Sequence, residues 1–203
     1  MNKTVVLDID GVLADYRLGL LWWVNSNYPE LRDKCYTHLY SHGTWINDET
    51  MGVSYRMWLD ILEHFRMSGG KQTIPVFPGA PELVNYLRLK QYKIVLITSR
   101  PIDIYSNIYR DTLEWLRTNK PHHDLLLWAR NKAELIYKLR MIDDIYFAVD
   151  DEVSHIKAYD ALGIATYWLD RYNKAAETNL LLSTQVKTID EILIKEGLKC
   201  KSN

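Results

Sequence analysis

Short apolar runs alternate along most of the chain with longer segments of helical spacing. Thr4-Val5-Val6-Leu7 is β-branched and apolar and stops at Asp8 and Gly11, the mark of a short buried strand feeding a loop. Lys93-Ile94-Val95-Leu96-Ile97 stops in the same way at Thr98-Ser99-Arg100-Pro101, and Ile145-Tyr146-Phe147-Ala148-Val149 stops at Asp150-Asp151. Leu125-Leu126-Leu127 and residues 164–168 are shorter runs of this kind.

Between these runs the period changes to that of a helix. Residues 81–90 open with Pro81, whose fixed φ suits a first turn, and set Leu83 and Leu87 to one side. Residues 104–117 space Ile108, Trp115 and Leu116 helically, and 132–141 repeat Ala133, Ile136 and Leu139. Residues 154–162 end at Gly163, a helix C-cap, and Thr188-Ile189-Asp190-Glu191 has the form of a capping box opening a last helix. Strand and helix in alternation predict an α/β fold: a Rossmann-like parallel sheet covered by helices on both faces. The polar residues fall at the C-terminal ends of the strands, where open α/β sheets bind ligands.

One stretch breaks the alternation. Residues 18–24 are helical in pattern, and Trp58, Ile61, Leu62 and Phe65 repeat at i, i+3, i+4, i+7. Ser68-Gly69-Gly70 ends that segment, and Pro75, Pro78, Gly79 and Pro81 punctuate the return to the sheet pattern. A small helical cap is therefore expected over 16–75, inserted after the first strand into a core made of 1–15 and 76–203.

Composition narrows the picture. With 47% hydrophobic residues the chain can bury a sizeable core. Lys and Arg number 25 against 26 Asp and Glu, so net charge gives no support to polynucleotide binding. Cys35 and Cys200 have neither metal-site nor disulfide-framework spacing, which fits a reducing compartment. The opening segment is too short in apolar residues for a signal peptide, and no run approaches a bilayer span. The expectation is a soluble cytoplasmic protein with no membrane partner; assembly as a homodimer is left open.

The sharpest chemical feature is Asp8-Ile9-Asp10-Gly11-Val12-Leu13-Ala14-Asp15. Carboxylates at i and i+2 leave a strand on one face, and Gly11 permits a tight turn that brings backbone close to a ligand. One acid can serve as nucleophile and the other as proton donor and acceptor. Taken alone, the pair is read equally well as Asp residues capping a turn.

With its later partners the motif resembles the haloacid dehalogenase (HAD) superfamily of phosphatases. Asp8 to Asp15 is similar to that family's first motif, and the strand ending at Thr98 to its second. A third-motif cation is matched by Lys132, with Arg130 and Lys138 as alternatives, and the paired acids Asp150-Asp151 match the fourth. The motifs keep the family's order, and the insertion stands where its type-one cap stands, so the resemblance covers nearly the whole chain. It implies an aspartyl-phosphate on Asp8, with Asp10 as acid and base and Thr98 and Lys132 holding the phosphoryl group. It further implies a Mg2+ held by Asp8, the Asp10 carbonyl and the Asp150-Asp151 pair, with Asp151 the more direct ligand.

Within the family the cap and the segment Pro75-Val76-Phe77-Pro78-Gly79-Ala80 look like the deoxyribonucleotidase branch, although Arg100 departs from its Thr-Ser-Pro segment. That resemblance implies a small phosphorylated substrate, a nucleoside monophosphate, cleaved as by a 5'-nucleotidase. Ser99 and Arg100 are expected to add phosphate contacts, with a turn before Pro101 as the alternative. Trp22, Tyr16 and the cap's other rings, Trp23, Trp45 and Trp58, either stack on the base or form the cap's own core. A polynucleotide 3'-end phosphatase, a sugar-phosphate phosphatase and an inactive binding module are the competing readings. His122-His123-Asp124 is read as a surface turn, and His38 with His42 as too few ligands for a metal site.

Overall fold

The computed structural model describes residues 3–40, 45–172 and 180–198. Its described strands are β1 (Thr4–Leu7), β2 (Lys93–Thr98), β3 (Leu125–Trp128), β4 (Ile145–Asp150), β5 (Thr166–Leu169) and β6 (Ser183–Val186). Its helices in chain order are α1 (Tyr16–Asn27), α2 (Arg32–Tyr40), α3 (Asp48–Met51), α4 (Tyr55–Met67), α5 (Ala80–Leu89), α6 (Asn107–Asn119), α7 (Lys132–Lys138), α8 (Val153–Ala161) and α9 (Ile189–Lys195). The strands form one parallel sheet in the order β3-β2-β1-β4-β5-β6. This is the α/β Rossmann-like architecture the alternation predicts.

The chain falls into two compact units. One joins Met1–Leu13, Val76–Arg100 and Pro121–Asn203; the other joins Ala14–Pro75 and Pro101–Lys120. The first holds the sheet. Side chains alternate across a strand, so Val6, Val95, Ile97 and Ala148 share one face, where they pack on Ala133 and Ile136 of α7, Tyr159 of α8 and Ile164. Helices α5 and α9 pack together, α5 also against β2 and α9 against β6.

The second unit is helical. Its division from the sheet differs from the expected 16–75 at α6, which groups with the inserted segment. The cause is visible in long-range bonds: Trp115 Nε1 donates to the Ile74 carbonyl at 2.7 Å, and Asn107 Nδ2 donates to the Arg66 carbonyl at 2.7 Å. Leu20, Leu21, Val24, Ile61 and Phe65 are sealed in this unit. Trp23 packs edge-on against Phe65 and His64 at 5.5 and 4.9 Å, so that ring belongs to the unit's own core.

Several boundaries move from the expected ones. Residues 101–105 form a turn, with Ile104 and Tyr105 N–H both donating to the Pro101 carbonyl, so the helix expected from 104 starts at Asn107. The helix expected to 141 ends at Lys138, and Arg140 takes a left-handed φ of 55°. The run at 164–168 becomes the strand Thr166–Leu169. No described helix is long and apolar enough to cross a membrane. Cys35 is buried; Cys200 and His42 lie outside the described residues.

Candidate active site

β1 lies between β2 and β4, where the strand order reverses, and Leu7 is in register with Leu96 of β2 and Val149 of β4. Three neighbouring strands therefore end together and deliver Asp8, Thr98 and Asp150 to one edge. In open α/β sheets this switch point is the ligand crevice. Asp8 N–H still donates to the Val149 carbonyl at 3.1 Å, and the chain then turns, with the Val12 and Leu13 amides both donating to the Ile9 carbonyl.

The turn is held at Gly11. Its φ is +84°, and a Cβ there would overlap the Asp151 carboxylate, so glycine is required both by conformation and by the approach of the acid. Arg171, just beyond β5, donates from Nη1 to the Gly11 carbonyl, while its guanidinium lies 3.4 Å from the centre of the Phe77 ring. No motif points to Arg171; its one sequence signal is its place just past a strand end.

Lys132 is a cation that reaches Asp8. It begins α7, whose N-cap Asn131 accepts from the Glu134 amide, and its side chain is fully sealed. Its Nζ stands 2.9 Å from Asp8 Oδ1 and 2.8 Å from Asp150 Oδ2. Of the alternatives, Lys138 pairs with Glu134 at the surface, and Arg130 is exposed. Asp150 Oδ1 accepts from the Glu152 amide at 3.0 Å, and Asp8 Oδ1 from the Ile9 amide at 2.7 Å.

One ammonium thus pairs with two carboxylates, and a third stands beside them. Asp8, Asp150 and Asp151 each offer an oxygen within 4.8 Å of the others. Burial drives the Asp8 carboxyl up to about 7; Lys132 opposes that shift, while Asp150 and Asp151 add to it. Burial likewise raises Asp150. Burial works against the charge on Lys132, but Asp150 and Asp8 outweigh it and hold the lysine above its ordinary value. Excess buried negative charge of this kind is relieved by protons or by a cation. An all-oxygen carboxylate set suits a hard divalent ion such as Mg2+.

Asp10 faces a different partner. Arg100 grips it with two bonds, Nε to Oδ2 at 3.1 Å and Nη2 to Oδ1 at 2.7 Å. The Arg100 amide also donates to Thr98 Oγ1 at 3.3 Å. Thr98 is buried at the end of β2, and Ser99 is exposed. The arginine expected to reach a substrate phosphate is turned onto Asp10, a partner 90 residues away in sequence.

The two aromatic candidates lie in the helical unit. Tyr16 is half-buried, stacked against Trp45 with ring centres 6.4 Å apart, and Lys71 Nζ lies 4.1 Å from its ring centre. Trp22 is exposed and, six residues on in α1, projects about 120° away from Tyr16 around the helix axis. Trp58 is buried in the same unit. Asp124 bridges β3 to β2 by accepting from the Ile94 amide, and His123 bonds the Pro121 carbonyl, as befits a turn before a strand. His38 Nε2 lies 3.0 Å from the Thr50 carbonyl.

No protein-family model and no curated protein matches this sequence. Solved structures do. A dehalogenase in an intermediate complex is similar with a TM-score of 0.63 at 13% identity, over 96% of each chain. The D,D-heptose 1,7-bisphosphate phosphatase of Burkholderia thailandensis gives 0.59 at 15% identity, over 98% of this chain and 100% of that one. The HAD-hydrolase-type protein YfnB of Bacillus subtilis, bound to magnesium, gives 0.59 at 14%, over 97% and 99%. These likenesses establish a HAD-type α/β fold.

Proposed function

We propose that this HAD-fold protein is a Mg2+-dependent phosphomonoester hydrolase, and within that class a 5'-nucleotidase of (deoxy)nucleoside monophosphates. The observation that carries the proposal is the arrangement around Asp8. A buried carboxylate at the end of β1 is tethered by Lys132 beside two further acids, and a second carboxylate two residues on is separately held by Arg100.

Asp8, Asp150 and Asp151, with the main-chain carbonyl of Asp10, would hold the cation. When bound, it offsets the repulsion between the Asp8 carboxylate and a phosphate dianion. An Asp8 oxygen attacks phosphorus, and the bond from phosphorus to the ester oxygen breaks. Asp10, a carboxylate in its pair with Arg100, takes up a proton from solvent ahead of this step and gives it to the leaving oxygen. A water then attacks the phosphorus of the aspartyl-phosphate and passes a proton to Asp10, the phosphorus–Asp8 bond breaks, and inorganic phosphate leaves with Asp8 regenerated. Lys132 keeps its charge beside Asp8 throughout. Because Thr98 Oγ1 already accepts from the Arg100 amide, its hydroxyl proton is free to be donated to a phosphoryl oxygen.

Asp10 favours ester hydrolysis over dehalogenation. An alkoxide needs a proton as it leaves, whereas a halide departs as a stable anion, so a positioned acid is useful only in the first case. Support for a nucleoside as the leaving group comes from the sequence resemblance to the deoxyribonucleotidase branch, and the helical unit itself carries half-buried stacked rings, Tyr16 and Trp45. Base stacking on such rings is worth about 1–3 kcal/mol.

The test is phosphate release from a panel of nucleoside monophosphates, sugar phosphates, phosphorylated DNA ends and p-nitrophenyl phosphate, with and without Mg2+. Asp8→Asn should abolish release, by on the order of 10⁴-fold or more. Release from the aryl ester alone removes the nucleotidase assignment, and undiminished release by Asp8→Asn removes the mechanism.

A further inference from the structure

We infer that Arg100 is a positioning residue for proton transfer at the leaving oxygen, rather than a ligand of the substrate phosphate. This rests on the hydrolase assignment above and specifies which half-step one side chain serves.

Exposure separates the two members of the pair. The Arg100 side chain is 0% exposed, whereas that of Asp10 is 21% exposed. The carboxylate can therefore meet a substrate, and the guanidinium behind it cannot without being drawn out of the protein. The bond geometry points the same way. Two donors of one planar fork engage both oxygens of Asp10, which fixes the plane of the carboxylate as well as its place. The Arg100 main chain is pinned in turn to Thr98 Oγ1, so the fork is referenced to the end of β2, next to β1 in the sheet. Asp10 itself lies in a loop just beyond β1, beside the left-handed turn at Gly11. The fork thus sets the direction of a carboxyl group carried on a loop, and about 1 Å of misplacement in a reacting group can cost about 10²-fold in rate.

The consequence is selective. Asp10 matters in the first half-step only when the leaving oxygen needs a proton. A nucleoside alkoxide needs one; p-nitrophenolate leaves unaided. In the second half-step, where water attacks the aspartyl-phosphate, Asp10 is needed whatever the substrate was. Arg100→Gln should thus lower kcat for nucleoside 5'-monophosphates by about 10²-fold with KM little changed. With p-nitrophenyl phosphate it should give a rapid first turnover, seen as a burst of nitrophenolate, followed by slow steady release.

The experiment compares wild type, Asp8→Asn, Asp10→Asn, Arg100→Gln, Arg100→Lys and the Asp10→Asn/Arg100→Gln double variant on both ester types with Mg2+ present. Circular dichroism melting verifies folding, and Arg100→Lys, which keeps charge and most of the volume, stands in should the glutamine variant fail to fold. Lysine supplies a charge but no fork, so it should remain impaired in the same leaving-group-dependent way. In the Asp10→Asn background the Arg100→Gln change should cost less than about threefold more, since the group it positions is gone. A raised KM with kcat kept, equal losses on both esters without a burst, or losses that multiply in the double variant would each overturn the inference and return Arg100 to the substrate phosphate. An active wild type with a dead Asp8→Asn and an Arg100→Gln variant equal to wild type sinks this inference alone. A wild type that releases phosphate from no ester sinks the hydrolase assignment, and this with it.

Discussion

Lys132 Nζ stands 2.9 Å from Asp8 Oδ1, a bond between the first residue of α7 and the first residue beyond β1. The same ammonium reaches Asp150 at 2.8 Å, so a single sealed cation ties together the ends of two adjacent strands. Removing one member of such a buried set strands the others in a poor solvent, which costs more than the pair contributes while intact.

Lys132→Met keeps the side chain's bulk and deletes its charge. The variant should lose about 3 kcal/mol of stability at neutral pH, read as a lower urea midpoint. The loss should shrink in mild acid, where Asp8 and Asp150 take up protons and no longer require a cation. A midpoint equal to wild type at neutral pH would show that the bridge is not structural.

Asp8 makes the metal-free protein sensitive to pH in an unusual direction. Its carboxyl is raised from 3.8 to about 7 in the folded state. Between those values the folded chain holds a proton that the unfolded chain has released, so stability falls as pH rises through that window. Urea midpoints without metal should be lower near pH 8 than near pH 5, and Mg2+ should restore more of the loss at the higher pH, because there it competes with no proton. Asp8→Asn should flatten the slope. An unchanged slope in that variant assigns the effect to other groups.

Gly11→Ala meets two obstacles, a φ of +84° and the Asp151 carboxylate in the path of the new methyl group. The left-handed conformation alone costs about 1–2 kcal/mol in a residue with a Cβ. Displacing Asp151 should weaken Mg2+ binding by about tenfold or more. Isothermal titration with Mg2+ checks the second effect separately from stability, and unchanged affinity would mean that Asp151 is not a ligand.

Arg171→Met removes the donor to the Gly11 carbonyl and the guanidinium from the Phe77 ring. The expected cost is about 1–2 kcal/mol, with a fall in kcat of about tenfold as the Asp10-Gly11 turn loosens. Melting temperature and kcat both equal to wild type would mean that the loop is held by other contacts.

The elements that sequence alone made legible are those whose signal is local. Val5, Val6 and Leu7 could be read as a buried strand because apolar β-branched residues in a short run have few other homes, and β2 and β4 were legible for the same reason. β6 was not: Ser183, Thr184 and Gln185 carry no apolar pattern. The strand is held by polar partners on its neighbour β5, Ser183 Oγ at 3.1 Å from Thr166 Oγ1, and beyond it, Gln185 Nε2 donating to Asp170 at 2.8 Å. Helix α2 is not legible either, its apolar positions being few and Cys35 the one sealed among those described.

The sequence by itself determined the α/β alternation, the strand ends at which chemistry could sit, and the acidic motif of Asp8 and Asp10, because each depends on periodicity or on residues a few positions apart. Only the tertiary structure set Lys132 against Asp8 and Lys138 against Glu134, turned Arg100 onto Asp10, brought Arg171 to Gly11 and grouped α6 with the inserted segment. Those pairings join side chains from distant parts of the chain, and they are set by how the strands order themselves in the sheet. No local pattern encodes them, since a lysine exposed on a helix and a lysine sealed between two carboxylates look the same until the sheet has placed the acids.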